Sequence, residues 1–189
     1  MTPADRKATP EEAWRILETA EEICSAECVA TEVERVAGEV TARLKDRNPL
    51  VLGVMKGSVI FAGQLLPRLR FPLHFDYLDV TRYGTATVGG AITWKVSPGT
   101  EVAGRVVLVV DDILDEGHTL AAIRDKLLEA GATEFYSAVF SQKNTGRAKP
   151  IAADFVGLTL PNRYVFGFGM DVHGAWRNLP AIYALRNDE

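Results

Sequence analysis

The chain is poor in the residues that staple, anchor or metallate a protein. It has two cysteines in 189 residues, Cys24 and Cys28, and three histidines, His74, His118 and His173. Two cysteines cannot build a disulfide framework. Their i, i+4 spacing supplies half of a metal site on a helix, but no further Cys and no nearby His completes it. They read as small buried helix residues, and a disulfide across one helical turn is not expected in a reducing compartment. The histidines have no mutual spacing that suggests a metal triad and read as non-catalytic. No apolar run approaches the roughly 20 residues that cross a bilayer. The opening MTPADRKATPEEAW lacks the apolar core of a signal peptide, so a cytoplasmic location is the default expectation, with no membrane partner. An excess of positive charge is missing too: 21 Lys and Arg against 25 Asp and Glu leave a formal charge of −4, which argues against a dominant nucleic-acid face. There is no internal repeat and no low-complexity tract.

What is present fits one globular α/β domain over residues 1–189, since 47% hydrophobic and 24% charged residues are enough to build and solvate one core. Thr9-Pro10-Glu11-Glu12 is a helix start, with Thr as N-cap, Pro in the first turn and Glu at the capping-box position. A second helix is expected from about Cys28 to Lys45, with Val29, Val33, Val36, Val40 and Leu44 on one face, ended by Asn48-Pro49. Together, residues 1–48 read as an N-terminal helical segment that packs and does not catalyse. Leu50–Val54 is a short buried strand, followed by Met55-Lys56-Gly57-Ser58 and a helix to about Leu69. Another strand is expected from Leu73 to Tyr83. Residues 84–100, rich in Gly, Thr and Ser, read as a mobile arm or loose hairpin. A central strand is expected at 105–110, a helix from Thr119 to Ala130 with Leu120, Ile123, Leu127 and Leu128 on one side, a strand from Glu134 to Phe140, and two or three short strands in 154–185. This alternation predicts a mostly parallel sheet with helices on both faces.

The most informative stretch is VVLVVDDILDEGHT, residues 106–119. An apolar run suited to a strand buried on both faces leads to Asp111 and Asp112, then Asp115, then Gly117 and a helix opening at Thr119. A strand, a glycine turn and a helix N-terminus make a place for an anion, at the strand end where open α/β sheets bind ligands. The carboxylates do not attract a phosphate themselves; sugar hydroxyls or a divalent cation such as Mg²⁺ reconcile them with one. Lys56-Gly57-Ser58 is a second turn of phosphate type, although it lacks the Walker spacing. Arg82-Tyr83-Gly84 starts the arm, which either closes over a reactive intermediate or forms a hairpin at an oligomer contact. Lys143 follows a strand and is either solvated or placed for binding. In NRYVFGFGMD the alternation of Tyr164, Phe166 and Phe168 suggests a core face, or an aromatic ring that stacks on a flat heterocycle. Asp171 and Arg177 follow.

Together these residues resemble a purine phosphoribosyltransferase of the hypoxanthine–guanine branch, over about Pro49 to Leu185. VVLVVDDILDEGHT matches the motif of that superfamily for phosphoribosyl pyrophosphate (PRPP), and DFVGLTLPNRYVFGFGMDVHGAWRNLP resembles the purine-binding segment of the hypoxanthine enzymes. The resemblance implies a type I phosphoribosyltransferase fold, with a central mostly parallel sheet flanked by helices and a small hood built from the terminal segments, including 154–185. It implies transfer of the phosphoribosyl group of PRPP to N9 of hypoxanthine or guanine, with Mg²⁺ as cofactor, PRPP and a 6-oxopurine as substrates, and a homodimer or homotetramer. Asp111 and Asp112 would contact the ribose hydroxyls directly or through Mg²⁺, and Asp171 would hold a second Mg²⁺. Asp115 would be the catalytic acid beside purine N7. Glu116, Gly117, His118 and Thr119 would wrap the 5′-phosphate, Glu116 through its amide with its side chain outward. Lys56 and Gly57 would hold pyrophosphate, with Lys56 also catalytic and Arg177 assisting, and the bond before Lys56 would be cis. Lys143 would bond the 6-oxo group, Tyr164 would stack on the ring and the Val165 backbone would read its edge. Arg82 and Tyr83 would belong to the mobile loop. The rival readings are a non-catalytic nucleotide- or RNA-binding regulator on the same fold, and a transferase for xanthine or another base.

Overall fold

The computed structural model describes residues 7–82, 92–98 and 100–186. Helix α1, Pro10–Thr19, starts as its sequence dictates: the Thr9 hydroxyl accepts from the Glu12 amide at 3.2 Å and the Glu12 carboxylate accepts from the Thr9 amide at 2.9 Å. Helix α2, Ala26–Leu44, buries Val29, Val33, Val36, Val40 and Leu44 on the expected face. At about 1.5 kcal/mol or more for each fully buried valine, that stripe accounts for the helix's hold on the sheet.

The main sheet has six strands in the order β4-β3-β2-β5-β6-β7. Strands β2 (Leu50–Met55), β3 (His74–Arg82), β5 (Val106–Leu114), β6 (Glu134–Lys143) and β7 (Phe155–Leu160) are parallel; β4 (Ile92–Val96) adds antiparallel to β3 at one edge. The central strands are apolar throughout because both faces are covered. Leu108 and Val110 pack with α2 and α3 (Val59–Leu65) on one side, while Val107 and Val109 pack with α4 (His118–Glu129) on the other. A parallel sheet brings the carboxyl ends of β2, β5 and β6 to one edge, and that edge carries the site.

A second sheet of three antiparallel strands, β1 (Glu21–Cys24), β9 (Ile182–Ala184) and β8 (Val165–Phe166), forms the hood. It is keyed to the main sheet by Phe168, whose ring lies 4.4 Å from that of Phe140 and 6.4 Å from that of Phe61. Val165, Met170, Ile182 and Ala184 share the same buried cluster with α2 and α3.

Several expectations need correction. Strand β5 does not stop at Val110: it continues to Leu114, paired with β6 by Asp111↔Val139 and Ile113↔Ser141, so Asp111 and Asp112 lie inside the strand. Strand β6 likewise runs through to Lys143, which is a strand-end residue and not a loop residue. Helix α4 begins one residue early, at His118, capped by Gly117, and Leu128 is 43% exposed because it falls off the buried stripe. Cys24 is not helical. It ends β1, a strand that short acidic Glu21-Glu22 did not signal, and only Cys28 lies on α2. The turn at Ser25 brings their Cα atoms to 5.7 Å, and the two are joined as a disulfide. Within the arm, Ile92–Val96 forms β4; Tyr83 and residues 84–91 lie outside the described residues. The run Tyr164–Phe168 does not alternate: Tyr164 is exposed, while Val165, Phe166 and Phe168 are all buried, Val165 and Phe168 in the cluster shared with the main sheet and Phe166 stacked on Tyr183 of the hood.

Candidate active site

The site is assembled where three strand ends meet the hood. From β2 the chain passes through a cis Met55–Lys56 peptide, as the resemblance implied, to Gly57. Gly57 lies directly against Asp112 of β5: a Cβ there would stand 2.1 Å from Asp112 Oδ2. From β5 the chain passes Asp115 and Glu116, both exposed, to Gly117, whose φ of +86° strains any side chain and whose Cβ position is tight against Pro150 and Lys149, at 3.3 and 3.4 Å. This glycine turns the strand into α4, so the amides of residues 117–119 open the helix at its positive end. Lys56 and His118 are exposed and Thr119 is partly buried at that opening. Arg82 is the last residue of β3.

Between β5, β6 and the hood lies a cavity of about 220 Å³. Of the residues singled out in the sequence, Asp112, Asp115, Lys143, Tyr164, Val165, Asp171 and Arg177 line it. Lys143 Nζ lies 2.9 Å from Asp115 Oδ2, so the two groups assigned to neighbouring positions on one purine edge, the 6-oxo group and N7, pair with each other here. Tyr164 lines the same cavity with a half-exposed ring, and its hydroxyl donates to the Asp171 carbonyl at 3.3 Å. Burial, then the Asp171 carboxylate, holds the Tyr164 phenol above its ordinary range, so it stays protonated. Arg177 bonds the Asp171 carboxylate, donates to the Gly169 carbonyl at 2.6 Å and stands 3.9 Å from Asp112. Asp171 also accepts from the Gly174 amide at 2.8 Å.

Asp111 and Asp112 share a poor environment. Burial raises Asp111 well above the usual carboxylate range, and the charge of Asp112 pushes it the same way. Burial also raises Asp112, opposed by its hydrogen bond with Asp111 and by Arg177. Asp111 accepts from the Asp112 amide at 2.9 Å. Among the described residues no three or more His, Cys, Asp or Glu gather as a ready ligand set, so Asp171 does not join Asp111 and Asp112 in one cluster.

The sequence reading missed four contributors. Ile113 and Met170 add apolar wall to the cavity. Gly169, at φ +102°, presses on the Lys56–Gly57 loop: a Cβ would lie 2.2 Å from the Gly57 carbonyl oxygen. The repeated glycines of FGFG were the available signal. Trp176, next to Arg177, donates from its indole nitrogen to the Ala13 carbonyl at 2.8 Å and meets Trp14 edge-on at 5.0 Å. Helix α1 therefore braces the loop that carries Arg177, a long-range contact with no local signature.

Residues 19–173 match the family model described as the phosphoribosyl transferase domain. The chain belongs to the phosphoribosyltransferase family. It is 33% identical over 165 residues to the hypoxanthine-guanine phosphoribosyltransferase of Bacillus subtilis (strain 168), covering 87% of this chain and 92% of that one. It is 37% identical over 155 residues to the bifunctional protein TilS/HprT of Listeria innocua, but spans only 24% of the length of that relative. Its fold superposes on a hypoxanthine phosphoribosyltransferase from Staphylococcus aureus with a TM-score of 0.85 at 26% identity, over 91% of this chain and 95% of that one. The type I phosphoribosyltransferase fold expected from the sequence, a central mostly parallel sheet flanked by helices, is the one observed, but the segment 154–185 is not all hood: Phe155–Leu160 pairs with β6 as the edge strand of the main sheet.

Proposed function

We propose that this phosphoribosyltransferase moves the 5-phosphoribosyl group of PRPP to N9 of a 6-oxopurine, hypoxanthine or guanine, and releases pyrophosphate, a purine-salvage reaction. The observation that carries this reading is the Lys143–Asp115 pair in a cavity also lined by Tyr164, beside the glycine turn that opens α4. A planar base entering under Tyr164 meets an ammonium donor and a carboxylate acceptor. The 6-oxo group takes the hydrogen bond of Lys143, and Asp115 takes the proton at N7. The two partners satisfy each other until the base separates them, so neither is left bare in the empty site.

In the transfer the C1–O bond to pyrophosphate breaks, the N9–C1 bond forms, and the base gives up one proton to Asp115. General-base help of this kind is worth about 10²–10⁴-fold. The amides of residues 117–119 hold the 5′-phosphate, and Lys56 with the Gly57 backbone holds the pyrophosphate. Arg177 steadies Asp171 and the approach to Asp112. Asp111 and Asp112 fit Mg²⁺: they are hard oxygen donors, the ion takes only one or two protein carboxylates, and a cation relieves the crowding that raises both groups. When bound there, Mg²⁺ neutralises charge on the diphosphate. Asp171, apart from that pair, is the candidate ligand for a second Mg²⁺. A cytoplasmic homodimer or homotetramer completes the reading.

Steady-state assays with PRPP, Mg²⁺ and a panel of hypoxanthine, guanine, xanthine and adenine test it. Turnover is expected with hypoxanthine or guanine and little with adenine. Lys143→Ala should lower the preference for 6-oxo over 6-amino bases by about 10–100-fold, because an ammonium serves an oxo acceptor and opposes an amino donor. Unchanged base preference in that variant removes the role given to Lys143.

A further inference from the structure

Lys149 lies on the segment between β6 and β7, outside every motif discussed above. Its ammonium donates to the carbonyl of Leu114 at 2.8 Å and to the carbonyl of Lys143 at 2.7 Å. The β5–β6 ladder ends at Leu114↔Gln142, so this side chain adds one further crosslink where the backbone pairing stops. The two carbonyls are not arbitrary ones. Leu114 C=O shares a peptide plane with the amide of Asp115, and Lys143 C=O belongs to the residue whose ammonium reaches Asp115 at 2.9 Å. The stem of Lys149 also lies against the phosphate turn: a Cβ on Gly117 would stand 3.4 Å from Lys149 Cβ.

An ammonium in this place is held against resistance. Loss of hydration lowers the Lys149 pKa first, and the neighbouring Lys143 charge pushes it the same way, with Asp115 opposing. A lysine serving only solubility would extend into water, away from a second cation. This one is spent on two backbone oxygens that carry the base-reading pair.

We infer that Lys149 is a positioning residue for base selection, setting the spacing of Asp115 and Lys143 by gripping the backbone of both strand ends. It does not touch substrate. The inference rests on the proposed 6-oxopurine transfer and deepens it. Without the grip the two strand ends separate or slip, and the acceptor and donor no longer span one purine edge. A misplacement of about 1 Å is enough to cost about 10²-fold in a positioned reaction.

The test compares Lys149→Met, which keeps the stem and removes the charge and donors, with Lys149→Gln, whose amide reaches one carbonyl at most. Both are assayed as the whole chain with hypoxanthine, guanine and adenine. Lys149→Met is expected to raise the KM for the 6-oxo base about tenfold. It should also lower the hypoxanthine-to-adenine ratio of kcat/KM by about fivefold or more, with a smaller change in the KM for PRPP. Lys149→Gln should fall between Met and wild type, and it carries the test alone if the Met variant fails to fold. A folded variant with wild-type base KM and wild-type ratio overturns the inference, whatever its melting temperature, because it makes Lys149 a strand-end cap and nothing more. Failure of the underlying reading looks different: the wild-type protein itself would then turn over none of the bases, and both readings would fall.

Discussion

At Gly57 the missing side chain is a requirement of charge and space together. The space a Cβ would take is filled by the Asp112 carboxylate, 2.1 Å away, and Asp112 is only 9% exposed. Gly57→Ala should therefore displace either the loop or the carboxylate and weaken PRPP binding by about 100-fold or more, read by calorimetry with Mg²⁺ present. Unaltered affinity would mean that the contact has slack. The Asp111–Asp112 pair makes a second prediction. Both carboxyls are raised above their ordinary values, so between the unfolded and folded pKa the native chain binds more protons than the unfolded one. Stability then falls as pH rises through that window and stays lower at neutral pH. Asp111→Asn, which keeps an oxygen for the Asp112 amide, should melt higher than wild type at pH 7 without magnesium, by about 2–4 °C per kcal/mol recovered. The advantage should vanish below the usual carboxylate range, and PRPP binding should weaken. A lower melting point at pH 7 would show that the pair is not crowded. These acids were legible in the sequence because strand, acids, glycine and helix follow one another without a break in VVLVVDDILDEGHT. Their position inside β5 was not, because it is β6, pairing as far as Gln142, that carries the strand through the charges.

Among the elements, α1 shows how a helix can matter to a site without touching it. Its capping box fixes where it starts, and that much is local. Where it docks is decided by Trp176, whose indole meets Ala13 and Trp14 from the far end of the chain. Trp176 holds a positive φ of +71°, the price of turning its ring toward α1 while Arg177 faces Asp171 and Gly169. Trp176→Phe keeps an aromatic ring and loses the N–H donor. It should cost about 0.5–1.5 kcal/mol in urea unfolding and raise the KM for PRPP by about 2–10-fold as Arg177 loosens. A stability loss with wild-type kinetics would confine Trp176 to a structural role. The helical stripe of α2 and the cap of α1 were readable from spacing alone. The β1 strand was not, since four residues reading EEIC have no period of their own and take strand form only by pairing with β9.

At the scale of the molecule, candidate-site residues from the main sheet and the hood are brought to one place by a single close approach. Gly169 of the hood presses on the Gly57 carbonyl, and Gly57 presses on Asp112, so two glycines set the gap between hood and sheet. Phe168 beside them fills the seam against Phe140 and Phe61. Gly169→Ala, at φ +102° and with a Cβ 2.2 Å from a backbone oxygen, should lift the hood. Melting temperature and activity are then expected to fall together, by several degrees and at least about tenfold. Retention of both would place the joint elsewhere. The formal charge of −4 belongs to this scale as well. It predicts no RNA band shift at physiological salt, the result that separates a transferase from an RNA-binding regulator on this fold.

What the order of residues settles unaided is whatever neighbours on the chain encode: the buried stripe of α2, the cap of α1, the apolar run of β5 and the acidic turn into α4. These depend on periods and end groups within a few residues, so they can be read before any folding is considered. Folding alone settles which remote groups touch. The Lys143–Asp115 pair, the Lys149 grip on both strand ends, the Gly57–Gly169 contact and the Trp176 brace join residues far apart in the chain, and close packing, not local preference, chooses those partners.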